Sequence, residues 1–215
     1  SGVVIEVGVY AICRVCFSAF IPVQAQWLSI VMVLSVLTMF VGNIMPLLQT
    51  DVKRLLAYSS IGHVGYMLVG LAVGTQLALT GTFLHVFNHA LMKGAAFLCA
   101  GVLLYRLGTR QLDEMEGIGR RMPITAIAFS ISLLALMGMP PLNGFISELT
   151  IITSTFEANL PWLGILIIIN SVLSSAFYLR VVRVLLLPIR SEKVGRAKEA
   201  PWPLLIPICV LVGMI

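Results

Sequence analysis

The sequence predicts an all-α, polytopic transmembrane helical bundle of about seven segments, one of them discontinuous. Three observations carry this. The 215 residues are 59% apolar and 11% charged, whereas a soluble domain is roughly 25% charged; the mean hydropathy is +1.03. Apolar runs long enough to cross a bilayer, about 18 residues or more, recur along the whole chain. The basic residues fall on alternate connections between those runs.

The apolar segments lie at about 3–20, 25–49, 52–74, 77–104, 123–156, 161–187 and 202–215. We read 1–215 as a single transmembrane domain. No Met start or charged leader pattern is present, and the chain opens and closes inside apolar runs, so we expect a fragment of a longer membrane protein. The second and third segments are separated by 49-QTDVKR-54, with Thr50 the expected N-cap of the third. Asp51 there suits the positive end of a helix dipole. Gly74-Thr75-Gln76 separates the third from the fourth. The stretch 105-YRLGTRQLDEMEGIGRR-121 is expected to be a loop, 157–161 a short turn, and 188-PIRSEKVGRAKEAP-201 a second polar loop.

Twelve of the fourteen Lys and Arg follow one rule. Lys53 and Arg54 sit at the second connection. Arg106, Arg110, Arg120 and Arg121 sit at the fourth. Arg180, Arg183, Arg190, Lys193, Arg196 and Lys198 sit at or near the sixth. The positive-inside rule places these connections (49–54, 105–122 and 188–201) in the cytoplasm. This placement accounts for the net charge of +5 without a nucleic-acid partner. The expected setting is the lipid bilayer of a prokaryotic cytoplasmic membrane, or its mitochondrial or chloroplast equivalent. Cys13 and Cys16 form a C-x-x-C inside an apolar helix, where small buried residues are a simpler reading than a redox pair.

The fifth segment has 34 residues, against about 20 needed to cross. Its middle, 137-MGMPPLNGF-145, holds Gly138, Pro140, Pro141 and Gly144, which do not continue a regular helix. Two half-helices with an unwound linker fit better than one long tilted helix with a kink. Non-helical backbone at membrane depth is tolerated where it is buried in protein or lines a wet cavity, and broken helices of this kind are typical of transporters. Glu148 follows the break.

Ionisable groups inside membrane spans cost roughly 2.5–3.5 kcal/mol each on insertion scales, so each needs a partner, water or a neutral form. The groups here are Glu6, Arg14, His63, His85, His89, Lys93 and Glu148. Steps of four drift only about 40° around a helix. His85, His89 and Lys93 therefore share one stripe rising about 12 Å, with Asn88 as a polar neighbour. Histidine changes charge near neutrality, and a desolvated lysine can do so too, which is the combination a proton relay needs. The alternatives are a static helix interface and a zinc site. Two His at i and i+4 can hold zinc, but Lys93 is a poor companion and no carboxylate or Cys is near in sequence. His63 reads equally as structural or functional. Glu6 and Arg14, eight residues apart on roughly one face, read as an internal ion pair or as members of the same pathway.

The stretches 49-QTDVKRLLAYSSIGHVGYML-68, 85-HVFNHALMKGAAFLCAG-101 and 138-GMPPLNGFISELTII-152 resemble the antiporter-like subunits of respiratory complex I and its relatives. These include F420H2 dehydrogenase, membrane-bound hydrogenases and multisubunit Na⁺/H⁺ antiporters. The resemblance covers nearly the whole chain. It implies an inverted-repeat fold of about fourteen helices, of which this chain is similar to the eighth through part of the fourteenth, with the second repeat mostly present. It implies a proton half-channel through Glu6, His85, His89, Lys93 and Glu148, supported by Arg14, His63 and Asn88. Glu148 matches the terminal Lys or Glu of the family's broken helix. Glu6 departs from the pattern, standing where many members carry a lysine before G-V-Y-x-x-x-R. The resemblance further implies other membrane subunits as partners and H⁺ or Na⁺ as the ion; ligand motifs for flavin, haem or an iron–sulfur cluster are lacking, so no cofactor or metal is expected in this chain. Flavin, iron–sulfur clusters and quinone would belong to partner subunits. The alternatives are a multisubunit Na⁺/H⁺ antiporter subunit and a scaffold with static buried pairs.

Overall fold

The computed structural model describes residues 2, 4–20, 24–189, 194–195 and 197–215. Arg190, Lys193 and Arg196 lie outside the described residues. The order of elements is α1 (Val4–Ser18), α2 (Gln24–Ile44), a 3-10 turn at Met45–Leu48, α3 (Val52–Val73), α4 (Gln76–Leu107), 3-10 turns at Leu112–Met115 and Ile118–Arg120, α5 (Pro123–Leu136), α6 (Asn143–Glu157), α7 (Pro161–Leu186) and α8 (Trp202–Gly213). The described residues form no strand. The chain is an integral membrane helical bundle: α2 to α4 and α7 are each long and apolar enough to cross a membrane.

Helix ends follow local chemistry. Asp51, rather than Thr50, caps α3: its carboxylate accepts from Arg54 N at 3.0 Å. Thr50 is used differently, its carbonyl accepting from Leu112 N at 2.9 Å beside an isolated bridge between Asp51 and Gln111. Gly74 ends α3 at φ +69°, and the Thr75 hydroxyl caps α4 by accepting from Ala78 N at 3.1 Å.

The stretch 105–121 is not an open loop. Helix α4 runs on to Leu107, and Leu112, Met115, Ile118 and Met122 are all buried in the main apolar cluster. Burial of these four side chains holds a polar-looking segment down as a fixed connector. Arg180 donates to Leu47 O and Gln49 O, both at 3.1 Å, and Arg106 to Glu199 O at 2.7 Å. The Glu199 carboxylate in turn accepts from Ile124 N at 2.9 Å and Thr125 Oγ1 at 2.6 Å, covering free donors at the start of α5. These bonds gather residues around 45–52, 105–125 and 180–189 and Glu199 at one end of the bundle.

The fifth apolar segment is two half-helices of 14 and 15 residues, neither long enough to cross alone. Gly138, at φ +76°, turns the chain out of α5. Pro140 and Pro141 are exposed on the linker. Gly144 lets the halves close up: a Cβ there would stand 2.0 Å from Ala135 O.

Three apolar clusters surround the middle of the bundle. One joins α3, α4, α5, α7 and α8. A second centres on Met39, Tyr66, Ile151 and Ile167, and a third on Val9, Met67 and Leu71. Along α3, Ser59 and His63 fall between Leu56 of the first cluster and Tyr66 and Met67 of the others. Helix α2 lies against α3 with backbone nearly touching backbone, since a Cβ on Gly42 would come 2.0 Å from Gly62 N.

That approach yields a test. Gly42→Ala should destabilise the bundle by about 1–3 kcal/mol, the usual cost of overpacking, because neither backbone is free to yield. Gly8→Ala, whose Cβ would meet nothing within 4 Å, should melt like the wild type. Thermal unfolding of the full-length protein in detergent measures both; equal melting temperatures would exclude the close contact.

Candidate functional site

The polar interior is assembled from five helices. Helix α4 brings His85, His89 and Lys93 inward on one stripe, and all three are fully buried. Helix α3 contributes Ser59, His63 and Tyr66, α6 contributes Ser147 and Glu148, and α7 contributes Ser171 and Tyr178. Helix α1 adds Glu6, which is buried although most of that helix is exposed.

His63 is the hub. Its Nδ1 is hydrogen-bonded with His85 Nε2 at 3.1 Å, and its Nε2 with the Tyr178 hydroxyl at 3.2 Å. His85 Nδ1 is hydrogen-bonded with Ser147 Oγ at 2.9 Å. The rings of His63 and His85 stack with centroids 5.3 Å apart, and His89 lies 4.9 Å from His63. His89 Nδ1 meets Glu6 Oε1, and Lys93 Nζ donates to Ser59 Oγ. Lys93 Nζ also stands 5.8 Å from the centre of the Tyr178 ring.

Glu148 closes the arrangement from the broken helix. Its Oε2 accepts from Ser171 Oγ at 2.9 Å, while Oε1 is buried without a hydrogen-bond partner among the described residues. A carboxylate oxygen of Glu148 and one nitrogen each of His63 and His85 lie within 4.8 Å of one another. That spacing is one a single water bridges. A cavity of about 340 Å³ adjoins Glu148 and is lined by Gly138, Met139, Phe145, Ser171 and Ser175 among others. Asn88 Nδ2 donates to Asn143 O at 2.9 Å, fastening α4 to the first residue of α6.

The chemistry follows from the donor inventory. A neutral imidazole donates at one nitrogen and accepts at the other, and a hydroxyl does either. The string Tyr178–His63–His85–Ser147 can therefore be polarised in two opposite directions with every bond satisfied. Reversing it moves a proton's worth of charge across four side chains.

Of the residues singled out from sequence, Glu6, His63, His85, His89, Lys93 and Glu148 converge on one interior site, with Asn88 at its edge. Arg14 does not join them. It is exposed, and the Glu6 carboxylate pairs with His89 instead. Sequence reasoning missed Ser59, Tyr66, Ser147, Ser171 and Tyr178. A signal for Tyr178 exists: Asn170, Ser174 and Tyr178 recur at steps of four along α7 and are all buried.

The family described as NADH:quinone oxidoreductase/Mrp antiporter, TM, matches residues 1–174. The chain belongs to this family. It is 35% identical over 187 residues to F(420)H(2) dehydrogenase subunit N of Methanosarcina mazei, covering 83% of this chain and 38% of that protein. It is 33% identical over 232 aligned residues to NADH-quinone oxidoreductase subunit N of Desulforudis audaxviator, covering 100% of this chain and 46% of that protein. Its fold superposes with a TM-score of 0.83 on a chain of the membrane-bound sulfane sulfur reductase, an archaeal respiratory membrane complex. That match is 34% identical and covers 88% of this chain and 31% of the other. The chain thus spans less than half the length of each relative. In this family member Glu6 stands two residues before the G-V-Y-x-x-x-R stretch that begins at Gly8, a carboxylate facing His89 of α4.

The Glu6–His89 pair makes a stability prediction that separates it from the Glu6–Arg14 alternative. Glu6→Ala strips a buried ring of its hydrogen-bond partner and should cost about 1–3 kcal/mol. Arg14→Ala removes an exposed side chain and should stay within about 0.5 kcal/mol of wild type. Unfolding by SDS titration from mixed micelles reads both; the reverse ranking would mean that Arg14, not His89, holds Glu6.

Proposed function

We propose that this chain is part of a proton-translocating membrane subunit of a redox-driven complex of the NADH or F420H2:quinone oxidoreductase type. Protons pass among Glu6, His89, His63, His85, Lys93 and Glu148, helped by Tyr178, Ser147, Ser59 and Ser171. The observation that carries this reading is the unbroken hydrogen-bonded string from Tyr178 to Ser147 through two buried imidazoles, with a carboxylate and a cavity beside it. A static scaffold has no need of side chains that can each be satisfied in two opposite polarities.

Coulomb coupling supplies the drive. A charge arriving on Glu148 or Lys93 in a low-dielectric interior changes the proton affinity of every neighbour within a few ångströms. Proton rather than Na⁺ transfer is the reading favoured by imidazole nitrogens, which suit protons and borderline metals better than a hard alkali ion. The other membrane subunits of the complex surround this one. Flavin, iron–sulfur clusters and quinone are held by those partners, not by this chain. The connections near 49–54, 105–122 and 188–201 face the cytoplasm of a prokaryotic cytoplasmic membrane or its organellar equivalent, because the basic residues concentrate there. The relatives named as dehydrogenase subunits favour the redox-driven assignment over a free-standing Na⁺/H⁺ antiporter.

The test is proton pumping by the complete complex in sealed vesicles. Lys93→Ala and Glu148→Gln should each reduce electron-transfer-driven acidification to near the passive leak while the complex still assembles. Normal pumping by both variants would overturn the relay. Purification with iron–sulfur and quinone-site subunits is the accompanying expectation; their absence would turn the assignment to the antiporter.

A further inference from the structure

We infer that His63, His85 and Glu148 form a binding site for a divalent metal ion of borderline softness, Zn²⁺ in the first instance, and that its occupation halts the relay. The sequence offered only His85 and His89 as a ligand pair, without a carboxylate. The fold replaces that pair. His63 comes from α3, His85 from α4 and the carboxylate from α6, with ligand atoms mutually within 4.8 Å. Two histidines and a glutamate, with a fourth position open to water, are an established zinc donor set.

Four features of the geometry favour a metal here. The facing nitrogens, His63 Nδ1 and His85 Nε2, are 3.1 Å apart. Two zinc–nitrogen bonds of about 2.0–2.1 Å at a tetrahedral angle place their nitrogens about 3.3 Å apart, so neither ring must move far. The opposite nitrogen of each ring is held by a hydroxyl, Tyr178 for His63 and Ser147 for His85. Metal-ligating histidines are oriented in this way by an outer hydrogen bond. Glu148 Oε1 is buried and has no hydrogen-bond partner among the described residues, leaving a carboxylate oxygen free to turn inward. The cavity beside Glu148 leaves space next to that carboxylate for a bound water.

Binding needs no net loss of protons from the two rings. Zinc requires a bare lone pair on each facing nitrogen. The ring protons then reside on His63 Nε2 and His85 Nδ1, where the Tyr178 and Ser147 oxygens accept them. Neither polarity of the relay has this arrangement, because each keeps one proton between the two rings. A bound metal therefore excludes both. The block of transport rests on the proposed relay, whereas the site itself does not.

The experiment uses the purified complex, first treated with a chelator and then dialysed against Zn²⁺ alone. One zinc per complex should be lost, or bound about tenfold or more weakly, in Glu148→Gln and in His85→Gln, and kept in the double variant Cys13→Ser, Cys16→Ser. The zinc X-ray absorption spectrum, taken as the difference between wild type and Glu148→Gln, should show nitrogen and oxygen neighbours and no sulfur. Glu148→Gln is nearly isosteric, so it reports on the site even where His85→Gln fails to assemble. Unchanged zinc in Glu148→Gln, sulfur ligation of the lost zinc, or loss in the cysteine variant would overturn the site. In vesicles, Zn²⁺ should stop pumping by the wild type. Zinc bound at the mapped residues with pumping unaffected would uphold the site and overturn the relay.

Discussion

The contact between His63 and His85, 3.1 Å across the interface of α3 and α4, sets conditions that the surrounding bundle must meet. Two imidazoles can meet in an apolar interior only if their other nitrogens are also satisfied, since an unpaired buried polar group costs about 1–3 kcal/mol. Tyr178 and Ser147 meet that requirement, which places α7 and α6 on opposite sides of the pair. The break between α5 and α6 then acquires a purpose. Gly138 brings the linker against Glu148, where a Cβ would stand 2.7 Å from Oε2, and Gly144 allows α6 to press on the end of α5. A continuous helix there would leave no room for a carboxylate with a cavity at its side.

The apolar clusters serve the same end from outside. The largest of them includes Met92, Tyr178 and Phe177 and encloses the Lys93 end of the stripe, while Tyr66 and Met67 close the other side. Each wall residue that excludes water strengthens the electrostatic coupling among the groups within. The outer faces of α2 and α7 remain apolar and exposed, with Val33, Leu37, Ile165 and Val172 among the residues on them. In a membrane protein these faces meet lipid or other subunits, so polarity lies inside and apolarity outside, the inverse of a soluble domain.

Much of this was legible in the sequence, because lipid as a solvent imposes simple demands. Each crossing needs a long apolar helix, so the segments could be counted. MGMPPLNG announced the break, and steps of four put His85, His89 and Lys93 on one face. What could not be read were partners set by helix arrangement. Glu6 lies 83 positions from His89 in sequence, and on its own helix Arg14 looked the better companion. His63 gave no local sign of being the hub, since its bonds run to α4 and α7. The connector at 105–121 was legible as a loop but its anchoring was not: Leu112, Met115, Ile118 and Met122 were hidden among charges, and only the packed cluster shows that they hold the segment down.

The placement of Glu6 bears on how such a site could work with a carboxylate where the resemblance leads one to expect a lysine. A lysine beside His89 would hold a positive charge next to Lys93 on the same helix face, and repulsion would keep one of them neutral. Glu6 reverses this. When ionised, Glu6 compensates a protonated Lys93 or His89, so a cation can reside in the interior with its charge balanced. Glu148 offers the same compensation at the far end of the string. The two carboxylates thus bracket a row of proton-accepting nitrogens, one on α1 and one on the broken helix. In the proposed relay, a proton entering beside one carboxylate would neutralise it and leave the excess positive charge facing the other, biasing the row toward the opposite end. Direction would then come from which carboxylate is reprotonated first, and the cavity of about 340 Å³ beside Glu148 leaves open space at that end.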